Sequence, residues 1–165
     1  METAYDMLAA QPFLAGLRPG QLDKLSYWSR KAVFHAGTRL FREGGRADRF
    51  WLIKDGRVAL DTTAPEVGEV VVETLGAGSV LGWSWLFEPY RWHFGATALD
   101  TTLAIEVDGP GVRELFRRDP EFGYEMVSRF IEVVVHRLQA TRQRLLEIDP
   151  HATVPSLGLG RPPVG

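Results

Sequence analysis

The chain has 165 residues, of which 45% are hydrophobic and 24% are charged, and its formal net charge is −2. This composition is ordinary for one globular domain with a buried core, and so small a net charge gives no global field that would draw the molecule to nucleic acid. The absence of cysteine excludes disulfides, thiolate metal sites and cysteine nucleophiles.

The sequence shows no targeting or membrane segment. Its N-terminus lacks a basic region followed by an apolar run, and no apolar run approaches the length of about 20 residues that a transmembrane helix needs. We therefore expect a soluble, cytoplasmic protein without a membrane partner.

Two short helices are predicted within residues 3–29. In the first, apolar residues lie near helical spacing, and Pro12 should end or kink it. The second begins near Pro19 and repeats apolar residues at intervals of three.

Short strands separated by glycine turns are predicted for about residues 31–109. Apolar residues recur with a period of two, and turns such as Asp55-Gly56 are strong hairpin signals. A break is expected near Asp100-Thr101. The pattern is typical of an antiparallel barrel and not of a parallel α/β sheet. We therefore predict a mostly β fold with flanking helices, a double-stranded β-helix or jelly roll.

One long helix is predicted over about residues 119–148, followed by a flexible tail rich in glycine and proline over residues 149–165. Asp119 suits the N-cap, and Pro120 suits the first helical position. The apolar residues cover too wide an arc for a small barrel to bury alone. We therefore predict a homodimer that packs through this helix; the alternative is a helix with one buried face and a solvated distal end.

Several arginines on the predicted long helix could be read as a DNA-binding strip. Arg137, Arg142 and Arg144 are spaced along one helix amid Glu132 and Glu147, which favours solvated or dimer-bridging charges instead. DNA is therefore not an expected partner.

The aromatic stretch over residues 82–97 lies between two predicted strands. Gly82 allows a sharp turn, and Pro89 stops any helix that begins after it, so we predict a strand, one helical turn, a loop and a strand. Backbone N–H groups that point into such a concave segment favour anions.

Three tryptophans, Trp83, Trp85 and Trp92, lie close together in this stretch and allow three interpretations. They could form a stacking wall for a flat ligand, with Arg91 at its anionic end. They could fill the cavity, which would leave a ligand-free dimerisation module. They could also lie exposed and anchor a partner protein.

Four segments carry a resemblance to a known family: residues 37–44, 47–58, 75–82 and 137–141. Their glycines lie together where the corners of a barrel need small residues or positive φ. On these segments, and on the order of its elements, the chain resembles the cyclic nucleotide-binding domain superfamily, known from the catabolite activator protein and its Crp/Fnr relatives. The resemblance covers roughly residues 8–147 and implies a phosphate-binding cassette that begins at Gly82.

The cassette differs from the family pattern at two positions. The family has a glutamate for the ribose where this chain has Trp83, and an arginine for the cyclic phosphate where the register gives Trp92 or His93. Arg91 could serve after a shift of one residue, and His93 could supply a weaker, pH-dependent charge. Because a buried phosphate needs a bidentate cation, the cassette disfavours ordinary cyclic AMP.

The leading hypothesis is a stand-alone regulatory and signalling module that binds a small anionic or nucleotide-like effector and acts on a separate, unidentified effector protein. Thr141 and Arg142 would close the pocket from the long helix. One alternative is a ligand-free interaction domain with its pocket filled by tryptophan. The other is a relative of the Crp/Fnr transcription regulators that lacks their helix-turn-helix. The predicted ligand-binding residues are Gly82, Trp83, Ser84, Trp85, Arg91, Trp92, His93, Thr97, Thr141 and Arg142.

Neither catalysis nor a metal centre is predicted. The four histidines lie far apart without metal-ligand spacing, and no nucleophile elbow or Ser-His-Asp constellation is visible. Gly76-Ala77-Gly78 lacks the lysine of a phosphate-binding loop. We therefore expect no enzyme and no resident cofactor.

Overall fold

The computed structural model describes residues 1–148 and residue 151. The predicted flexible tail, residues 149–165, lies outside the described residues apart from His151. Two antiparallel sheets of four strands form the body, with short helices before them and a long helix after them. This arrangement confirms the predicted jelly roll with flanking helices.

The chain crosses between the two sheets repeatedly, as a jelly roll requires. The first sheet has the strand order β1-β8-β3-β6 and the second has the order β2-β7-β4-β5. The predicted break near residue 100 is confirmed, since it separates β7 from β8. The strands are β1 (Ser29–Phe34), β2 (Arg39–Phe41), β3 (Arg49–Asp55), β4 (Val58–Ala64), β5 (Gly68–Leu75), β6 (Val80–Leu81), β7 (Gly95–Ala98) and β8 (Thr102–Asp108).

Four α-helices flank the sheets in the part of the chain that the structure describes. The first predicted helix ends early, before Pro12, and a 3₁₀ turn over Pro12–Leu14 follows it. No helix in residues 1–148 combines the length and the hydropathy that a membrane crossing needs. The α-helices are α1 (Ala4–Ala9), α2 (Pro19–Tyr27), α3 (Gly109–Arg118) and α4 (Pro120–Ile148).

Helix α3 was not predicted, because Gly109-Pro110-Gly111 resembles a turn. The Asp108 carboxylate accepts a hydrogen bond from the Gly111 N–H at 2.8 Å and caps the helix. A Cβ at Gly111 would lie 2.2 Å from the Trp28 ring, so the close approach of that ring requires glycine. Gly111 therefore makes room for the Trp28 ring, and its N–H is part of the helix cap.

Helix α4 has the predicted bounds and presents two different faces. Asp119 caps it by accepting a hydrogen bond from the Phe122 N–H at 3.2 Å. Phe122, Met126 and Phe130 are buried against the roll. The opposite face is exposed and apolar, so α4 is amphipathic toward the roll but carries a second, unburied apolar stripe. The exposed apolar residues of α4 are Tyr124, Val127, Ile131, Val135, Leu138, Leu146 and Ile148.

Candidate ligand-binding site

The predicted cassette is the segment that links β6 to β7. Gly82 opens it with φ = +99°, and a 3₁₀ turn over Ser84–Leu86 follows, as predicted. Backbone hydrogen bonds join its end to the loop between β2 and β3: the Trp92 N–H donates to the Gly45 carbonyl at 2.9 Å, and the Gly44 N–H donates to the Trp92 carbonyl at 2.8 Å. The cassette is therefore fixed at both ends.

The cavity enclosed by this segment has a volume of only about 10 Å³. A cavity needs at least about 10–15 Å³ to admit one water molecule, so there is no open space for a nucleotide. The cavity is lined by Phe41, Leu60, Gly82, Trp83, Ser84, Trp92, Phe94 and Arg137.

Trp92 occupies most of the space behind the cassette. Its side chain is 6% exposed and stacks on Phe41, with 3.9 Å between ring centroids and 18° between ring planes. A Cβ on Gly82 would lie 3.0 Å from the Trp92 ring, so the backbone of the cassette glycine packs directly against the indole. Phe41 in turn stacks on Trp51 of the other sheet, with 5.5 Å between centroids. The three rings bridge the two sheets.

Trp83 and His93 form an outer layer over the same cavity. Their rings stack with 4.5 Å between centroids, and Phe87 lies 5.8 Å from Trp83. The Ser84 Oγ accepts a hydrogen bond from the His93 N–H at 3.3 Å and lies 2.8 Å from His93 Nδ1. Because Ser84 already accepts that bond, its hydroxyl proton is free to bind the imidazole. The two polar side chains therefore bind each other.

Trp85 points away from the cavity, although it follows Trp83 by only two residues. Its side chain is fully buried and stacks on Phe50 with 4.8 Å between centroids. Phe130 of α4 packs on it edge-to-face at 5.3 Å. The structure therefore places Trp85 in the core between the first sheet and α4, away from the predicted ligand residues.

The other predicted ligand residues do not line the cavity either. Arg91 is exposed, and its backbone pairs with that of Arg46. Thr97 lies in β7 and pairs with Arg39 and Ala59 of the flanking strands. The Thr141 hydroxyl donates to the Arg137 carbonyl at 2.6 Å within α4, and Arg142 is exposed. Of the predicted residues, Gly82, Trp83, Ser84 and Trp92 line the cavity, and His93 contacts Ser84.

Arg137 lines the cavity, and its interpretation as a solvated or dimer-bridging charge was wrong. Its side chain is 8% exposed and donates to Glu73 of β5 at 3.0 Å and to the Val80 carbonyl of β6 at 2.9 Å. Burial lowers the pKa of Arg137 from its ordinary value, and the nearby Glu73 carboxylate opposes that shift. One signal in the sequence could have revealed this position, because Arg137 follows the buried Phe130 by two helical turns and shares its face.

The cavity lining contains a cation but no carboxylate. Within the described residues, no group of three histidine, aspartate or glutamate side chains could hold a metal ion. The cavity lining therefore consists of aromatic and aliphatic side chains, Gly82, Ser84 and the guanidinium group of Arg137, which is already paired with Glu73. It has no acid that could bind a ribose hydroxyl.

Comparisons with known proteins agree with this architecture. The family model of the cyclic nucleotide-binding domain matches residues 31–119. A CRP-like cAMP-activated global transcriptional regulator of Mycobacterium tuberculosis is 24% identical over 143 residues, which cover 87% of this chain and 62% of the regulator. The chain therefore spans less than two thirds of that relative.

Two solved structures share the fold. A cyclic nucleotide-binding domain from Methylobacillus flagellatus superposes with a TM-score of 0.74 at 17% identity, covering 93% of this chain and 84% of that one. The N-terminal domain of a transcriptional regulator from Streptomyces coelicolor superposes with a TM-score of 0.62 at 24% identity, covering 93% and 99%. With the family model, the two sheets and the cassette turn, these matches lead to one conclusion. The chain belongs to the cyclic nucleotide-binding domain family and is of the CRP/Fnr kind.

Proposed function

We propose that this domain is a regulatory module in which its own aromatic side chains occupy the place of the nucleotide, and that it acts as a dimeric unit on a separate partner protein. The observation that supports this proposal most is the cassette cavity of about 10 Å³. Pockets that bind small molecules typically enclose about 300–1,000 Å³. The third interpretation of the tryptophans, exposed anchors, has less support, since Trp85 and Trp92 are buried.

The polar groups around the cavity support the same proposal. A cyclic phosphate needs a cation that can leave its present partner at little cost, but Arg137 is buried and bound to Glu73. His93 is engaged by Ser84 and stacked on Trp83. A nucleotide would have to break these contacts and displace buried rings before it gained any contact of its own.

A titration with cyclic AMP and cyclic GMP tests the proposal. We expect two-dimensional NMR to show no shift of the Trp83 indole N–H signal at millimolar nucleotide, because the cassette that Trp83 lines has no free volume. A shift of the Trp83 indole N–H signal on addition of either nucleotide would contradict a self-filled cassette.

The second candidate function is the sensing of a small anionic effector in the cassette, and Arg137 at the cavity favours it. In that case Trp83 or Trp92 would swing outward to admit the ligand. Ordinary cyclic AMP is disfavoured, since Trp83 replaces the ribose-binding acid. A positive result in the titration above would support this candidate over the self-filled cassette.

The dimer in this proposal uses the exposed stripe of α4. Tyr124, Ile131 and Leu138 lie seven residues apart and are 79%, 57% and 66% exposed. Residues at that interval form the seam between paired helices, and burying them against a second copy removes their apolar surface from water. The other face of α4 is already buried on the roll, which leaves this stripe for the partner helix.

Adding charge to the stripe tests the dimer. We expect Ile131→Glu combined with Leu138→Glu to weaken self-association at least a hundredfold in sedimentation equilibrium, because both carboxylates would lose water inside the seam. Gln143→Glu is the control, since it adds a carboxylate to an exposed position of α4 that is not seven residues from any residue of the stripe. Dimers that persist in the double variant would place the interface elsewhere.

A further inference from the structure

A second and much larger cavity opens at the edge of the roll, beside the cassette. Its volume is about 460 Å³, within the range of small-molecule pockets. Phe41 and Trp92 line both cavities, so these two stacked rings separate the closed cassette from the open groove. The groove is lined by Phe34, Leu40, Phe41, Arg42, Gly45, Arg46, Asp48, Arg49, Trp51, Trp92 and Glu106.

The wall of this groove is aromatic and firmly held. The Trp51 ring stacks on Phe41, with 5.5 Å between ring centroids, and meets Phe34 edge-on, with 6.2 Å between centroids. The Trp51 Nε1–H donates to the Glu106 carboxylate at 3.1 Å, so its indole cannot rotate freely. The groove therefore offers a rigid apolar wall for a planar molecule, without a cavity-filling side chain to displace.

The charges of the groove leave a positive excess. Glu106 accepts hydrogen bonds from Arg30, Arg49 and Trp51, so its charge is compensated. Asp48 is paired with Arg49 at 3.0 Å.

The two remaining cations of the groove, Arg42 and Arg46, are exposed. Their guanidinium groups have no ion-pair or hydrogen-bond partner among residues 1–148 and 151. Arg91, also exposed, is paired through its backbone with Arg46. This cluster is unusual on a chain whose net charge is −2.

We propose that this groove is a binding site for a small anion with a planar aromatic body, of the aryl phosphate or open nucleoside monophosphate class. Arg42 and Arg46 would bind the phosphate, since a guanidinium group matches its oxygens bidentately. The ring would lie against the wall formed by Phe34 and Trp51. Because the groove and the cassette are separate cavities, this site does not depend on the proposed filling of the cassette.

Titrations of the full chain with phenyl phosphate and with AMP test the site. Two-dimensional NMR would follow the indole N–H signals of Trp51, which lines the groove and not the cassette cavity, and of Trp83, which lines the cassette cavity and not the groove. We expect both probes to shift the Trp51 signal, and Arg42→Gln combined with Arg46→Gln to weaken binding at least tenfold. Arg117→Gln combined with Arg118→Gln is the matched control: it removes two exposed arginines from α3, outside the groove, and should leave the affinity unchanged.

Two further ligands test the two parts of the proposal separately: adenosine, which lacks the phosphate, and inorganic phosphate, which lacks the aromatic ring. Adenosine and inorganic phosphate should each bind at least tenfold more weakly than AMP. If inorganic phosphate bound as tightly as AMP, the aromatic part of the proposal would be overturned. If the groove double variant and the control double variant lost affinity equally, the loss would come from the change in net charge and the two groove arginines would not form a site. An unshifted Trp51 signal at saturation would overturn the site.

Discussion

Trp92→Ala should cost about 3–5 kcal/mol of unfolding free energy, the usual range for removing a buried tryptophan from a packed site. The indole is 6% exposed, stacks on Phe41 and packs against the Gly82 backbone. Its removal therefore takes away both the stacking partner of Phe41 and the group that fills the cassette. Urea unfolding at one fixed protein concentration measures the loss.

Free indole should partly restore the stability of Trp92→Ala, because the variant leaves a cavity of the shape that indole fills. Thermal unfolding with and without millimolar indole measures the rescue, and wild type should not respond. Trp28→Ala is the control, since Trp28 is 36% exposed and lies outside the cassette, at the end of α2, where its ring packs on Gly111 of α3. A rescue of both variants to the same extent would mean non-specific binding and would remove this support for a self-filled cassette.

The cassette combines a regular backbone with a filled cavity. The backbone keeps the glycine turn, the 3₁₀ segment and the pairing with the loop after β2. The side chains depart from the pattern that the resemblance implies: Trp83 stands where an acid was expected, and Trp92 packs against the glycine turn. A change of this kind preserves the fold and its outward surface while it removes the volume for a ligand, which suits a module that is constitutively in one state.

Local patterns in the sequence predicted most of the fold, because strand alternation, glycine turns and the Asp119-Pro120 cap act over a few residues. Helix α3 escaped prediction because Gly111 is required by the ring of Trp28, which lies far away in the sequence. The sequence also did not predict the directions in which the Trp83 and Trp85 side chains point. In a 3₁₀ turn two neighbouring indoles point to different sides, and their spacing alone does not say which one meets the core.

Arg137 illustrates a different limit. Its place on the buried face of α4 was visible in the spacing from Phe130, but its partners lie on β5 and β6. The mixture of both charge signs along the helix is a local signal, and it favoured a solvated interpretation. The packing of α4 across the roll buries this cation. Substitution of its counter-ion, Glu73, should therefore cost more stability than substitution of Arg137 itself.

Glu73→Gln should therefore cost about 2–4 kcal/mol of unfolding free energy, because it leaves the buried Arg137 cation without its countercharge. Glu73 keeps 29% of its side chain exposed, which holds the loss below that of a fully buried pair. Arg137→Met should cost less, about 1–2 kcal/mol, since it removes the buried charge and returns Glu73 to water. The double variant should be no less stable than Glu73→Gln alone.

Urea unfolding of the two single variants and the double variant, at one fixed protein concentration, gives the coupling energy directly. Glu69→Gln is the matched control, because Glu69 lies on the same strand and pairs with Arg39 but is 61% exposed. An exposed pair contributes at most about 1 kcal/mol, so this control should change little. Equal losses in Glu73→Gln and Glu69→Gln would mean that the carbonyl of Val80 alone satisfies Arg137, and that the ion pair does not hold α4 to β5.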